Sequence, residues 1–329
     1  MSRLRITLAV GDYDRTRALQ DGRVSPEGID LNVVNLPVEE IFFRQLTYRE
    51  FDASEMSLSS YVLSRTRPDP AFIAIPVFPS RYFRHQSVFV NRRSGIASPE
   101  DLAGRRVGVP EYQMTAAVWQ RGFLEDDYGV RPEDMQYFTG GMESPGRHEK
   151  IPLRLPPEFR IQPIGPDQTL SRMLADGELD AVTSASVPPS LHTSEDVVRL
   201  FPDFRSVEAD YYRRTGIFPI MHVIVLRRDV YEANPWIARS LMKAFDAALR
   251  IAYDDLRYRS ALRVMLPWLA AEVDETEALM GDDWFAYGVE RNRHVLEAFL
   301  RYDHRQGVIP EPLRVEDLFV ENAGESFVI

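Results

Sequence analysis

The sequence predicts an α/β protein of two lobes, on three observations. The chain has 329 residues, more than one compact core usually holds and about right for two. Strand-like and helix-like segments alternate through most of it. A helix end, a tight turn and an Asp-Ala strand occur at residues 46–54 and again at 174–183. Two similar lobes would produce this repeat, and so would coincidence, because helix–turn–strand units are common.

The individual elements follow from local side-chain patterns. Short apolar or alternating runs predict strands at residues 3–10, 29–36, 52–56, 72–77, 87–90, 106–109, 181–184 and 218–226. Helical spacing predicts helices at 37–48, 113–128 and 235–256 and over most of 274–306. Pro37 suits a first helical turn, and Ser98 before Pro99 marks another helix start. The Gly and Pro residues of 140–166 predict a loop.

This order predicts that the chain crosses between the lobes near residues 91–94 and returns near 215–218. Domain I is then discontinuous, residues 1–93 and 216–329, and domain II is residues 94–215. Ligands of open α/β sheets bind beyond the carboxyl ends of the strands, so we expect a substrate cleft between the lobes. The segments expected to line this cleft are 11–15, 55–60, 80–85, 110–115 and 183–186.

Composition excludes several classes of function. Cysteine is absent, which excludes disulfides, thiolate nucleophiles and iron–sulfur clusters. The lysines are Lys150, in a Pro-rich loop, and Lys243, in a helical pattern; we expect both at the surface, where neither suits a Schiff base with pyridoxal phosphate. A net charge of −11 without a long Lys/Arg run argues against nucleic acid as a partner.

The lengths of the apolar runs indicate where in the cell the protein is located. The apolar runs are of strand length, so we expect no membrane span. The apolar stretch within residues 4–10 is too short for a signal-peptide core and is typical of a strand. We therefore expect a cytoplasmic protein without a membrane partner, and the sequence leaves a homo-oligomer open.

The segments expected to line the cleft carry motifs that resemble the 4,5-dihydroxyphthalate decarboxylase family. These motifs are GDYDRTR (11–17), DGRV (21–24), PEGID (26–30), EMSLSSY (55–61), FIAIPVFPSR (72–81), FRH (83–85), GVPEYQMTAAVW (108–119) and TGIFPIMH (215–222). The likeness covers the first two-thirds of the chain, continues weakly to 317–319, and is specific only when the motifs are taken together. It implies a type-2 periplasmic-binding-protein-like fold and the loss of CO2 from a dihydroxyphthalate, giving protocatechuate.

Such a reaction needs no organic cofactor, because the substrate is its own electron sink. Loss of CO2 leaves an aryl carbanion unless the carbon bearing the carboxylate is protonated first. A deprotonated hydroxyl para to that carbon takes up the charge. The protein has to anchor the retained carboxylate, accept the phenolic proton and deliver a proton to carbon. We therefore expect a small aromatic carboxylate as partner, with no cofactor and no metal.

Arg81, Arg84 and His85 form the densest cationic cluster in a segment expected to line the cleft. The planar fork of Arg binds two carboxylate oxygens at once, and His exchanges protons near neutral pH. We predict that Arg81 or Arg84 anchors the retained carboxylate and that His85 transfers protons. The alternative for His85 is a structural hydrogen bond to a backbone carbonyl at the strand edge.

Two further catalytic candidates each have a structural alternative. His222, near the return between the lobes, is either a second catalytic histidine or a buried hinge histidine. Glu111 is either a proton carrier or a helix cap, and it precedes a helix whose amides suit a carboxylate. The other predicted substrate-binding residues are Asp12, Tyr13, Arg15, Glu55, Ser57, Ser59, Tyr112 and Thr115. The serines are weaker candidates, because such hydroxyls usually satisfy the turn backbone.

Other functions compete with decarboxylation. The fold alone would favour a solute-binding protein for a small anionic or aromatic ligand, although neither an export signal nor a lipid-anchor cysteine is found. A relative of the thiamin-pyrimidine synthases would need a pyridoxal-binding lysine, and the segments expected to line the cleft have none. His148, with Glu143 and Glu149, matches no metal-binding spacing.

Overall fold

The computed structural model describes residues 3–321 of the chain. Its strands are β1 (Leu4–Val10), β2 (Ile29–Asn35), β3 (Ala53–Ser57), β4 (Phe72–Arg81), β5 (Val88–Asn91), β6 (Arg106–Val109), β7 (Gln136–Thr139), β8 (Arg160–Pro163), β9 (Ala181–Thr183), β10 (Val197–Arg199) and β11 (Ile220–Arg227). Its helices are α1 (Asp14–Gln20), α2 (Val38–Tyr48), α3 (Leu58–Arg65), α4 (Thr115–Tyr128), α5 (Leu170–Asp176), α6 (Ser190–Thr193), α7 (Phe204–Thr215), α8 (Arg228–Ala233), α9 (Trp236–Arg257), α10 (Leu269–Met280) and α11 (Val289–Arg305). None of the helices in this part of the chain is long and apolar enough to cross a membrane.

The chain divides into two compact units. Unit 1 is Met1–Arg81, Ile220–Leu296 and Leu313–Ile329, and unit 2 is Tyr82–Pro219 and Glu297–Pro312. In this division the chain passes from unit 1 to unit 2 after residue 81 and returns after residue 219, whereas the sequence predicts these crossings near 91–94 and 215–218. Residues 297–312 belong to unit 2 rather than to domain I.

Packing on α4 explains why residues 297–312 belong to unit 2. The Trp119 ring packs on Phe299 and Tyr302 with centroids 5.3 and 5.6 Å apart. Arg121 Nε donates to Gln306 Oε1 at 2.7 Å, and both side chains are buried. This long-range packing has no local sequence signal, so the sequence did not predict it.

The sheet of unit 1 has the strand order β2-β1-β3-β11-β4. Strand β1 is parallel to both of its neighbours, and β11 is antiparallel to β3 and β4. The β1–β3 pairing aligns Ala9 with Ser54, so the chain leaves β1 beside the next residue of β3, Glu55. The inserted strand β11 then brings His222 opposite Ser57 at the end of β3.

Strand β4 is irregular where it passes His222. Ser80 of β4 pairs with His222 of β11, and Ile75 pairs with Ile224. Between these two pairs β4 has more residues than β11, so β4 forms a bulge. Pro76 and Pro79 lie in this bulge, where a residue without an N–H group is tolerated. The bulge leaves the Pro79 carbonyl free to accept a hydrogen bond from a side chain.

The sheet of unit 2 repeats the arrangement of unit 1. Its order is β10-β5-β9-β6-β7-β8, with β6 parallel to β7 and β9, and β5 antiparallel to β9 and β10. Read from β7 to β10, this matches the order from β2 to β4, and β8 is an addition at the edge. The pairs α2–β3 and α5–β9, which carry the sequence repeat, hold equivalent positions. This equivalence favours two similar lobes over coincidence.

Two predicted stretches differ from the structure. The loop predicted at 140–166 contains β8, whose four residues lie at an edge and lack an apolar pattern. The helix predicted over most of 274–306 is two helices, because Gly281 and Gly288 adopt φ values of 84° and 96° that side-chain-bearing residues rarely reach. The other predicted strands and helices are present, with ends shifted by a few residues.

Candidate functional site

A buried carboxylate, Glu55, organises the polar cluster of unit 1. Its side chain has no exposed surface. Oε2 accepts the Gly11 amide at 2.9 Å, Oε1 accepts the Tyr13 hydroxyl at 2.8 Å, and Oε1 lies 2.5 Å from His222 Nδ1. These groups come from the end of β1, the following turn and β11, so the cluster joins three distant segments.

The electrostatics of the cluster keep Glu55 charged. Burial by itself raises the pKa of Glu55, but His222, the Gly11 amide and the Tyr13 hydroxyl outweigh burial and hold this pKa below its usual value. Burial, together with the Glu55 charge, raises the pKa of Tyr13 well above its usual value. Tyr13 therefore keeps its proton, and its hydroxyl donates a hydrogen bond to the carboxylate.

The missing side chain of Gly11 makes the Tyr13 contact feasible. A Cβ at residue 11 would lie 2.7 Å from the Tyr13 ring and 2.8 Å from its hydroxyl oxygen. Such contacts are too short for real atoms, so any side chain at residue 11 would push the ring away. The Gly11-Asp12-Tyr13 segment thus folds the phenol back onto Glu55. Asp12 is exposed and pairs with Arg17 at 3.2 Å.

His222 is the part of the cluster that remains accessible. Its side chain is 16% exposed, and the Phe42 ring packs edge-on against it with centroids 5.0 Å apart. Within residues 3–321, Nε2 of this ring has no protein hydrogen-bond partner. The geometry therefore holds one ring nitrogen on a buried carboxylate and leaves the other available; the catalytic role of His222 stays a prediction.

Arg15 extends the cluster with a positive charge. Its guanidinium lies 4.2 Å from the centre of the Tyr13 ring and 4.6 Å from that of Phe285. Nε donates at 2.5 Å to the Pro79 carbonyl that the β4 bulge leaves free, and Nη1 pairs with Asp14 at 3.0 Å. The side chain is 18% exposed. Arg15 is thus held in place while keeping donors toward solvent.

The other candidate residues of unit 1 are more deeply buried than His222 and Arg15. Arg81 is buried, and its Nη2 donates to the Ala286 carbonyl at 2.8 Å and to Asn292 Oδ1. Ser57 is buried at the start of α3, and Ser59 is fully buried within that helix. Their predicted substrate contacts stay predictions, but their burial favours structural roles.

His85, in unit 2, lies in an aromatic environment. Its ring stacks on Phe123 with centroids 3.9 Å apart, and Tyr211 and Phe201 pack against it. The side chain is 1% exposed, and neither ring nitrogen has a hydrogen-bond partner within the described residues. Burial lowers the pKa of His85 to about 4, so the ring is neutral at pH 7. These surroundings favour a structural role, although without the backbone carbonyl partner that the sequence suggested; proton transfer by His85 stays a prediction.

Arg84 is also buried in unit 2. Its Nη1 donates to the Ala185 carbonyl at 3.0 Å, and its guanidinium lies 4.7 Å from the centre of the Tyr82 ring. Burial lowers the pKa of Arg84 to about 10. Arg81 thus contacts groups of unit 1, whereas Arg84 and His85 contact different groups of unit 2, and the carboxylate-anchoring role of the two arginines stays a prediction.

Glu111 does not cap α4, and its predicted role as a proton carrier stays a prediction. Its buried carboxylate pairs with Arg147 Nη2 at 2.6 Å and Lys150 Nζ at 2.5 Å, and it accepts the Lys150 amide at 3.2 Å. The expectation that Lys150 lies at the surface is wrong, since its side chain is only 14% exposed. Lys243 is exposed, as predicted.

The amides that precede α4 do bind a carboxylate, but it belongs to the protein. Glu149 accepts the amides of Tyr112 and Gln113. Burial raises the pKa of Glu149 to about 7. The Tyr112 hydroxyl donates to the Gln306 carbonyl at 3.1 Å, and Thr115 is buried at the first position of α4. The predicted substrate contacts of Tyr112 and Thr115 stay predictions.

The described part of the chain contains no group of three or more His, Asp or Glu side chains arranged to hold a metal ion. His148, considered with Glu143 and Glu149, is exposed, as is Glu143.

Sequence reasoning named Glu55 and His222 but missed that they are partners. They are 167 residues apart, and their contact depends on the insertion of β11 beside β3. It also missed Phe42, which limits the orientation of the His222 ring. A strand-pairing prediction for residues 218–226 would have been the only available signal.

Comparison with solved structures identifies the class of fold. Over all of this chain and 96% of the other, the chain resembles the periplasmic aliphatic sulphonate binding protein SsuA from Escherichia coli, with a TM-score of 0.52 and 11% identity. Protein AF1704 from Archaeoglobus fulgidus gives a TM-score of 0.53 at 14% identity, over 93% of this chain and 98% of that one. At such identities the likeness shows the fold alone. The fold is that of the periplasmic-binding-protein-like class, as the sequence predicts.

Comparison with curated proteins identifies the family. The chain is 42% identical over 330 aligned residues, covering both chains completely, to a 4,5-dihydroxyphthalate decarboxylase from Comamonas testosteroni. It is 44% identical over 214 residues, 65% of this chain and 83% of the other, to a 4,5-dihydroxyphthalate decarboxylase from Pseudomonas putida. No protein-family model matches the chain. The chain belongs to the 4,5-dihydroxyphthalate decarboxylase family, and the resemblance found in its motifs is confirmed.

The aromatic burial of His85 predicts a specific acid sensitivity. Its pKa is about 4 in the folded chain and about 6.5 when unfolded, so the unfolded state alone takes up a proton between these values. The free energy of unfolding is therefore highest above about pH 6.5. It decreases by up to about 3 kcal/mol as the pH falls toward 4, because protonation favours the unfolded state. In urea unfolding followed by circular dichroism, His85→Phe should lose less stability than the parent over this interval. Exposed His148→Gln is the control, and equal pH dependence of His85→Phe and the parent would contradict the prediction.

Proposed function

We propose that this chain removes CO2 from 4,5-dihydroxyphthalate and releases protocatechuate, without an organic cofactor or a metal. Membership of the family over the full aligned length supports the reaction. The observation in the structure that carries the proposal is a partly exposed histidine, His222, held through Nδ1 by a fully buried carboxylate. The Tyr13 hydroxyl bonds the same carboxylate, and Arg15 stacks on the Tyr13 ring. This arrangement offers a proton-transfer group and an anion-binding group on one unit.

The chemistry required of these groups is modest. Each carboxylate of the substrate has a hydroxyl para to it, and ionisation of that hydroxyl pushes electrons toward the carbon that bears the carboxylate. In the proposed reaction, His222 Nε2 takes the phenolic proton and then delivers a proton to this carbon. The bond to the carboxylate breaks, its electron pair restores the aromatic ring, and CO2 leaves. One proton is taken from solvent for each CO2 released, and His222 ends the cycle unchanged.

Arg15 is the proposed anchor for the retained carboxylate. It is more exposed than Arg81 and Arg84, and within residues 3–321 no protein hydrogen bond reaches its Nη2. A guanidinium held by Pro79 and stacked on Tyr13 loses little further freedom when it binds an anion. The roles predicted for His85, Glu111, Arg81 and Arg84 have weaker support, because their side chains are buried against protein groups.

The solute-binding alternative has only the fold in its favour, since the similar binding proteins are 10–15% identical and the family relatives are decarboxylases. We further propose a cytoplasmic enzyme, as the sequence predicts. The support is that the apolar stretch Leu4–Val10 is a strand of the sheet, paired on both sides.

Release of CO2 by the purified protein tests the reaction. With 4,5-dihydroxyphthalate we expect equal amounts of CO2 and protocatechuate, measured by gas release and chromatography. Activity should survive dialysis against a chelator and treatment with borohydride. Phthalate is the matched control, because it lacks the para hydroxyls and therefore the electron sink. Turnover of phthalate at a similar rate, or loss of activity that a divalent ion restores, would refute the proposed chemistry.

Replacement of His222 tests the assignment of the proton-transfer residue. His222→Ala should lower the kcat of the folded enzyme by about 10²–10⁴-fold, because the proton-transfer group is lost. It should also lower the melting temperature, because buried Glu55 loses one of its donors, so kcat is measured below the transition. His85→Phe, measured alongside, should keep most of its kcat. If His85→Phe loses kcat and His222→Ala does not, the roles are reversed and the sequence-based choice of His85 is right.

Replacement of Arg15 tests the anchor. Loss of one charged hydrogen-bonding group to a carboxylate is worth about 1.5–3 kcal/mol, so Arg15→Gln should raise KM by roughly ten- to hundredfold. Arg17→Gln is the matched control, because Arg17 lies on the same helix and is exposed, where it pairs with Asp12. A normal KM for Arg15→Gln together with a raised KM for Arg84→Gln would move the anchor to unit 2.

A further inference from the structure

We infer that Glu55 is a positioning residue, which Tyr13 and Gly11 hold so that His222 carries its proton on Nδ1 and works through Nε2. This inference rests on the proposed function, because it concerns the histidine assigned to proton transfer there. It changes the role of Glu55 and Tyr13, which the sequence predicts as substrate-binding residues.

The hydrogen-bonding capacity of Glu55 determines which ring nitrogen of His222 carries the proton. An ionised carboxylate can only accept hydrogen bonds. Because Glu55 is charged and buried, the nitrogen 2.5 Å from its Oε1 has to be the donor, so Nδ1 carries the proton. In neutral His222 the lone pair is then on Nε2, where it is able to accept the phenolic proton.

The same contacts exclude a direct role for Glu55 at the substrate. Its side chain has no exposed surface, and its two oxygens already accept from Gly11, Tyr13 and His222. A substrate carboxylate would in any case be repelled by this charge. Glu55 therefore acts through His222, and it stabilises the positive charge that His222 acquires on protonation.

Tyr13 and Gly11 not only help to keep Glu55 charged but also fix the positions of its two carboxylate oxygens. The phenol and the histidine share Oε1, so the Tyr13 hydrogen bond fixes the direction in which this oxygen points. The Gly11 amide fixes the second oxygen. Loss of the Tyr13 hydroxyl leaves Glu55 charged but less restrained, which predicts a smaller defect than loss of the carboxylate.

Graded variants test this arrangement by steady-state kinetics on 4,5-dihydroxyphthalate. Glu55→Gln keeps the shape but removes the charge, so kcat should fall by about 10²–10⁴-fold with KM changed far less. Tyr13→Phe should lower kcat by a smaller factor. Gly11→Ala should lower kcat at least as much as Tyr13→Phe, since the new Cβ displaces the whole Tyr13 ring together with its hydroxyl. Ser54→Ala is the control on the same strand, because Ser54 is buried, its hydroxyl has no partner within residues 3–321, and it should keep parental kcat.

A double variant separates positioning from a general structural effect. If Glu55 acts through His222, Glu55→Gln/His222→Ala should be no slower than His222→Ala alone. Multiplied defects in the double variant would show that Glu55 acts independently and would overturn the inference. Should Glu55→Gln fail to fold, Tyr13→Phe combined with His222→Ala gives the same comparison.

Nitrogen NMR of histidine-labelled protein supplies a readout that does not depend on turnover. In the parent, the His222 signals, assigned by their loss in His222→Ala, should show the proton on Nδ1. In Glu55→Gln this preference should weaken, because the Gln amide can donate as well as accept. An unchanged tautomer in Glu55→Gln, or a proton on Nε2 in the parent, overturns the inference. If the parent shows the Nδ1 tautomer but releases no CO2, the proposed function fails while the positioning role of Glu55 stands.

Discussion

Unit 1 has to supply hydrogen-bond donors to one buried charge, the carboxylate of Glu55, and this requirement constrains its arrangement. An unpaired carboxylate in a protein interior costs several kcal/mol, so the fold has to bring donors to it. The Gly11 amide at the end of β1, the Tyr13 hydroxyl in the following turn and His222 on β11 supply them. The parallel pairing of β1 with β3 and the antiparallel insertion of β11 are what place these groups within reach. The site is thus a consequence of strand order.

The same requirement explains why several candidates of unit 2 are engaged with the protein itself. Glu111 is paired with Arg147 and Lys150, and Glu149 takes the amides before α4. A buried group that is already saturated has little left to offer a ligand. Exposure and unused hydrogen-bonding capacity therefore separate the candidates for substrate contact better than residue type does. Both criteria favour His222 and Arg15.

The sequence predicted what depends on neighbouring residues and failed where distant segments meet. The α/β class, most strands and the long helix α9 follow from local periodicity and from Pro or Ser at helix starts. The unit boundaries did not, because residues 297–312 are held by contacts with α4 that leave no local pattern. For the candidate site, the residue types were named from the sequence, but adjacency did not show that Arg81, Arg84 and His85 contact different protein groups. Successive residues at the end of a strand point in different directions.

Three of the motifs that carry the family resemblance meet at Glu55. GDYDRTR supplies Gly11, Tyr13 and Arg15, EMSLSSY supplies Glu55 itself, and TGIFPIMH ends on His222. A fourth motif, FIAIPVFPSR, contains the β4 bulge whose Pro79 carbonyl holds Arg15. Glycine is required at residue 11 because the Tyr13 ring occupies the space of its side chain. These motifs, separate in the sequence, are therefore linked through Glu55 and Tyr13. A change in the first three reaches His222 through Glu55, and a change in the fourth reaches the arginine that stacks on Tyr13.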